Sequence, residues 1–200
     1  MRGILFLSLL AVAVALGAAL LSGSGDTFLD VNATFARLSP PRPAPLFSFR
    51  TRDGHWRSLG DFRGKFVLVN LWATWCGPCV HEMPSLDRAQ QKLGDRLSVL
   101  AIAEDKNGES AVGPFLAARP RLRFTVLLDS SNDGWRAFDV HGIPTSILID
   151  RSGRVVASLV GAVDWDSPHV IAELERYIAQ DDQRLATDSG RQRPPASARR

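Results

Sequence analysis

Five stretches of the chain are rich in Val, Ile, Leu, Phe and Ala with few polar interruptions: residues 66–72, 97–103, 124–128, 145–149 and 155–160. Short runs of this kind, continuous rather than alternating, predict strands covered on both faces. Between them the pattern changes to helical spacing over residues 78–93, 109–119 and a short piece at 134–138. A fourth helix is predicted over 168–178, where Val170, Ile171, Leu174, Tyr177 and Ile178 form one stripe and Ser167 occupies the N-cap position. Asp150, Arg151, Ser152 and Gly153 read as a hairpin turn, which makes the last two strands antiparallel. Strands alternating with helices predict an α/β fold, a central mixed sheet flanked by helices on both faces, in a single domain over residues 46–180.

The ends read differently. Residues 3–21 carry no charge, are mostly Leu, Ala and Val, and follow a lone Arg2. This is the pattern of a signal anchor or a cleaved signal peptide over residues 1–22, and either would export the domain. With no Cys near that boundary, a lipid-anchored form is excluded. Residues 23–45 end in Pro40, Pro41, Pro43 and Pro45, which predicts an extended, Pro-rich linker. Residues 181–200 are polar, rich in Arg and Pro, and lack an apolar period, which predicts a disordered tail.

Composition narrows the class only a little further. At 45% hydrophobic and 22% charged residues, the 200-residue chain is neither disordered nor a multispanning membrane protein. A formal net charge of +3 gives no basis for a nucleic-acid partner. Cysteine usage is more telling, because the chain has two and only Gly77 and Pro78 separate them. A disulfide closing so small a ring gains little chain entropy, so a purely structural staple is a weak explanation.

The pair lies where the strand at 66–72 gives way to a helix. Cys76 therefore sits just outside the first helical turn, facing free amide groups and the positive end of the helix dipole. Both favour thiolate, the attacking species in disulfide exchange. Pro78 suits the helix start, where a missing N–H costs nothing, and Gly77 withholds bulk beside the nucleophile. Cys79, one turn on, returns beneath Cys76. This predicts attack by Cys76 and resolution by Cys79. A zinc site would need two further ligands, and His81 and His141 are not spaced as in a zinc finger, so no metal and no cofactor are expected.

The run Trp75-Cys76-Gly77-Pro78-Cys79, within Val69 to Pro84, resembles the active-site signature of the thioredoxin fold in its TlpA-like branch. Asp61-Phe62-Arg63-Gly64-Lys65, Gly142-Ile143-Pro144-Thr145-Ser146 and Gly161-Ala162-Val163-Asp164-Trp165 resemble further segments of that branch. The resemblance implies membrane-anchored, periplasm-facing thiol:disulfide oxidoreductases, including relatives that serve cytochrome c maturation and copper-site assembly. It implies that Pro144 is a cis-proline facing the Cys pair and that Trp75, Ile143 and Thr145 touch the partner. Pro84 matches a proline inside the active-site helix. Thioredoxin itself has a buried Asp six residues before the first Cys, where this chain has Asn70. Glu82 matches an acidic residue of the branch, and the spacing brings it back toward Cys79. It is expected either to be partly buried, with a raised pKa, assisting deprotonation of Cys79, or to be a solvated first-turn residue.

Together these features predict a reductant of protein disulfides, apocytochrome c or a copper-site assembly protein, recharged by a membrane-embedded electron donor. The domain is expected to be monomeric and held at the inner membrane by the N-terminal segment, or soluble in the periplasm after cleavage. A disulfide-inserting oxidase and a non-catalytic copper-binding module are the alternatives.

Overall fold

In the computed structural model, which describes residues 35–119 and 121–191, the five apolar runs are strands of a single eight-stranded sheet. In chain order the strands are β1 (Ala36–Pro43), β2 (Ser48–Thr51), β3 (Trp56–Ser58), β4 (Val67–Trp72), β5 (Ser98–Ala103), β6 (Thr125–Leu128), β7 (Thr145–Ile149) and β8 (Arg154–Val160). Their order across the sheet is β1-β8-β7-β4-β5-β6-β2-β3. β4, β5 and β6 are parallel, while β7, β8 and β1 extend the sheet antiparallel on one side and β2 and β3 on the other. The sheet is mixed, as predicted. The turn at 150–153 joins β7 to β8 antiparallel, with Gly153 at φ 79°, a backbone conformation that side chains disfavour.

Among the described residues four α-helices pack on this frame: α1 (Gly77–Leu93), α2 (Glu109–Ala117), α3 (Asp133–Ala137) and α4 (Pro168–Arg191). One face of the sheet, carrying Phe66, Leu68, Trp72, Val99, Ala101 and Leu148, packs on Met83, Leu86, Ala89 and Leu93 of α1, Val112 of α2 and Val170, Leu174 and Tyr177 of α4. The other face, with Val67, Val69, Leu71, Leu100, Ile102 and Ile147, is covered by Phe47, Phe138, Val140 and, partly buried, Leu59, Phe62 and Trp135. All six residues of β4 are buried, which explains why the run there is apolar except at Asn70. Ser167 caps α4, its hydroxyl accepting from Val170 N–H at 3.4 Å.

The structure departs from the sequence reading at both ends of the domain. Residues 36–43 were expected to be part of a linker, and instead form edge strand β1 against β8, with a register irregularity between Arg37 and Arg42. Proline is compatible with an edge strand because the outward side of the strand needs no donor. Phe35 fastens the start of this strand, lying 4% exposed with its ring 6.0 Å from those of Trp165 and Tyr177. At the other end, α4 continues to Arg191 through what was expected to be a disordered tail. Charge holds this extension. Arg151 meets Asp181 at 3.0 Å and Asp182 at 2.7 Å, and Arg184 reaches Asp150 at 2.6 Å and also pairs with Asp181. Asp150 and Asp181 are both buried. The predicted targeting segment at 1–22 and the last residues of the tail lie outside the described residues. Among the described residues no helix is long and apolar enough to cross a membrane.

If β1 belongs to the folded body, Phe35→Ala lowers the stability of the oxidised chain by about 3–5 kcal/mol in urea unfolding, the usual cost of emptying a buried Phe site. A midpoint equal to that of the unmodified chain would mean that this segment is only a spacer.

Candidate active site

β4 ends at Trp72 and the chain turns through Ala73, Thr74 and Trp75 into α1. The turn is pinned by Asp105, which accepts from Thr74 N–H at 3.0 Å and from its hydroxyl. Cys76 is the N-cap of α1, and Pro78 stands in the first helical positions. The Cys79 amide donates to Cys76 Sγ at 3.3 Å, the contact a capping side chain makes at a helix start. Cys76 and Cys79 are joined by a disulfide. Cys76 is 6% exposed and Cys79 1%, so any approach from outside meets Cys76 first. A Cβ added at Gly77 would meet nothing within 4 Å. The bulk that Gly77 withholds would therefore stand in open space, where only a docking partner would encounter it.

The loop before β7 faces the pair. The Ile143–Pro144 bond is cis, and the Ile143 carbonyl oxygen lies 3.7 Å from Cys76 Sγ. Trp75 is 66% exposed beside it. Thr145 was expected at the partner surface and is instead buried, its hydroxyl donating to the Gly142 carbonyl at 2.6 Å. Its backbone pairs with Leu71 and Val160 at the start of β7, and its hydroxyl ties the loop from within.

Glu82 is not a solvated first-turn residue; it is 1% exposed. Asn70 Nδ2 donates to Oε1 at 2.9 Å, while Val163 N–H at 3.1 Å and Trp165 Nε1 at 2.9 Å donate to Oε2. Asn70 also donates to Ser146 Oγ at 3.0 Å, so one network links β4, α1, β7 and the segment after β8. Burial pushes the Glu82 carboxyl up to about 7, and the three hydrogen bonds oppose that rise without cancelling it. Glu82 stands one turn beyond Cys79 on the same helix. Sequence spacing could place it there, but could not show that its partners come from residues 163 and 165.

A second carboxyl went unnoticed in the sequence. Glu104, just after β5, is 2% exposed, and burial, then the neighbouring Asp129, pushes it up to about 8. An acidic residue directly after an apolar strand was its only sequence signal. Among the described residues no group of three or more His, Cys, Asp or Glu side chains could hold a metal ion.

A disulfide at a helix N-terminus, a cis-proline loop against it and a sheet of this order suit thiol–disulfide exchange. The sequence pattern of the Redoxin family matches residues 40–176. This chain belongs to the Redoxin family. Within it the chain falls in the TlpA-like thioredoxin branch and is a thiol-disulfide oxidoreductase. It is 37% identical over 123 residues to thioredoxin-like protein YneN of Bacillus subtilis, covering 60% of this chain and 71% of that one. It is 34% identical over 138 residues to the thiol-disulfide oxidoreductase ResA of Geobacillus kaustophilus, covering 68% and 74%. A solved structure of a thiol:disulfide interchange protein DsbE from Chlorobium tepidum superposes with a TM-score of 0.61 at 32% identity, covering 74% of this chain and 99% of that one.

The two buried carboxyls make stability pH-dependent. Their folded pKa values, about 7 and about 8, lie above the ordinary value of 4.5, so the folded chain holds protons that the unfolded chain releases. The stability carried by the neutral forms is complete below about pH 4.5 and is lost as pH rises through about 7 for Glu82 and about 8 for Glu104. Within its window each group changes stability by up to ~1.4 kcal/mol per pH unit. The urea midpoint of the oxidised chain therefore falls between pH 5 and 8, and Glu82→Gln or Glu104→Gln removes part of that slope. A midpoint constant over this range contradicts the assignment.

Proposed function

We propose that this oxidoreductase reduces disulfides of partner proteins in the periplasm, held at the inner membrane by its N-terminal segment or released from it by cleavage. The observation that carries the proposal is the layered Cys pair: Cys76 caps the helix on the face with Trp75 and the cis-proline loop, and Cys79 lies covered behind it. In the reduced domain, the amide of Cys79 and the helix N-terminus favour the Cys76 thiolate. That thiolate attacks one sulfur of the partner disulfide; the S–S bond breaks, and the other partner sulfur leaves as thiolate and takes a proton from solvent. Cys79 then loses its proton and attacks Cys76 Sγ, releasing the second partner sulfur and leaving the Cys76–Cys79 disulfide. Two electrons pass from the domain to the partner. A membrane-embedded donor restores the dithiol.

Glu82 has the character needed for the second half of this cycle. A carboxyl with a pKa of about 7, one turn from a covered thiol, can accept the Cys79 proton at neutral pH. Pro144 and the backbone of Ile143 form the rim against which the partner chain lies, with Trp75 beside them. An apocytochrome c or a copper-site assembly protein fits this role, as a small monomeric domain needs only a disulfide within reach. The names of the relatives, thiol-disulfide oxidoreductase and thiol:disulfide interchange protein, support the reaction class.

The order of attack is tested by trapping. Reduced full-length Cys79→Ser chain, mixed in detergent with a peptide disulfide, accumulates a mixed disulfide through Cys76, and Cys76→Ser forms none. An adduct on Cys79 in the Cys76→Ser chain at the same rate would reverse the assignment. For Glu82, Glu82→Gln removes a rate inflection near pH 7 from release of the reduced peptide; an unchanged pH profile excludes the proton-accepting role.

A further inference from the structure

The three parallel strands enter the sheet from the end opposite the Cys pair, and the segments leading into them are basic. Arg63 and Lys65 precede β4, Arg96 precedes β5, and Arg119, Arg121 and Arg123 precede β6; all six residues are exposed. The register pairs Val67 with Ser98 and Leu100 with Thr125, so these segments emerge side by side. The β7–β8 turn closes the same end, its Arg151 carbonyl accepting from Gly64 N–H at 2.9 Å. Two acids lie in these four segments. Asp150 is buried and bonded to Arg154 and Arg184, which leaves Asp95 as the exposed one. Of the bases, Arg96 pairs with Glu175 at 2.9 Å and Arg119 donates to the Phe115 carbonyl at 2.8 Å, as suits a cation near the C-terminus of α2. Arg63, Lys65, Arg121 and Arg123 lie beyond the helix ends, and their side chains form no ion pair among the described residues. Asp87 meets this last segment through the backbone, accepting from Arg123 N–H at 2.5 Å. The loops at the Cys end carry no such group: their bases are Lys106 and Arg136, and Arg136 is paired with Asp133.

We propose that this basic end rests on the anionic phospholipid headgroups of the membrane, so that Cys76, at the other end of β4, faces away from the lipid. The proposal rests on the reading of residues 3–21 as a membrane anchor and adds how the tethered domain is turned. The tether alone does not decide this. β1 begins toward the Cys end, where Ala36 pairs with Ser158 and, two residues further along β8, Val160 pairs with Thr145. Residues 22–34 reach at most about 45 Å when extended. That exceeds the height of the sheet, about 27 Å for the eight residues of β1. Either end of the domain can therefore meet the bilayer, and charge selects between them. Guanidinium groups without a carboxylate partner match phosphodiester oxygens in charge and geometry. A cleft of about 400 Å³ opens beside Arg119 and Arg121, with Leu116, Ala117 and Leu122 in its wall, and offers a headgroup both a cation and an apolar surface. With that end on the lipid, the disulfide, the Pro144 loop and Trp75 are presented to proteins outside the bilayer.

The test places a benzophenone amino acid in the full-length chain at Ala118, exposed at the basic end, or at Val160, 75% exposed at the Cys end. Each chain is reconstituted into phosphatidylcholine vesicles with or without about 30% phosphatidylglycerol and irradiated. From position 118 the yield of lipid adduct rises about fivefold with the anionic lipid, and from position 160 it stays low in both vesicles. The combined change Lys65→Glu, Arg121→Glu and Arg123→Glu returns the yield at 118 to its phosphatidylcholine level, as does about 0.5 M salt for the unmodified charges. The same charge variant keeps its rate of peptide disulfide exchange in detergent, which shows that it is folded. A yield at 118 that ignores the anionic lipid or survives the charge reversal overturns the proposal, as does lipid adduct from 160 equal to that from 118. Failure of the anchor reading looks different: the chain would then not float with pure phosphatidylcholine vesicles, where the N-terminal segment alone can hold it.

Discussion

A carboxyl group taken out of water must find donors, and Glu82 finds three that come from parts of the chain distant in sequence. Asn70 lies on the central strand β4, Val163 and Trp165 follow the last strand, and Glu82 itself rides on the helix that begins at Cys76. The requirement works as a positional lock. Moving α1 along the sheet would break several hydrogen bonds to a buried acid at once, a loss that improved apolar packing elsewhere could not offset. The start of α1, and with it the Cys pair, is therefore fixed relative to β4 and to the loop that carries Pro144, since Asn70 also donates to Ser146 just beyond that loop.

The same arrangement places the chemistry. β4 is buried along its whole length, so its end is a rigid platform, and the chain leaves it through a turn tied to Asp105 before capping the helix with Cys76. The helix supplies amide groups and a favourable field to one sulfur while covering the other. Across from them, the cis bond at Ile143–Pro144 brings the Ile143 carbonyl to 3.7 Å from Cys76 Sγ. Two buried carboxyls flank this centre. Glu82 has both oxygens bonded, whereas Glu104 has Oε2 bonded to Asn132 and Oε1 buried without a partner.

Much of this was legible in the sequence because it depends on local pattern. The apolar runs marked β4 to β8, turn residues marked the 150–153 hairpin, and Cys76-Gly77-Pro78-Cys79 marked a redox pair at a helix start. What could not be read depends on partners distant in the chain. Pro40, Pro41 and Pro43 look like a linker until β8 is present to make them an edge strand. Residues beyond 180 lack an apolar stripe, and α4 continues there because Asp181, Asp182 and Arg184 meet Arg151 and Asp150 across the hairpin. Glu82 could be placed near Cys79 by helical spacing, yet its burial is set by donors from after β8. Thr145 misled for the opposite reason: the motif suggested a surface contact, and the strand register turned its hydroxyl inward.

The direction of electron flow is the central claim, and the redox equilibrium of the full-length chain in detergent against a dithiothreitol or glutathione series tests it most directly. Trp75 immediately precedes Cys76, which makes intrinsic fluorescence a suitable readout. The account predicts a potential below about −200 mV, toward the roughly −270 mV of thioredoxin, at which the dithiol readily gives up its electrons. A value near about −120 mV, the range of strong disulfide-forming oxidants, would contradict it and make the domain a source of disulfides rather than a means of removing them.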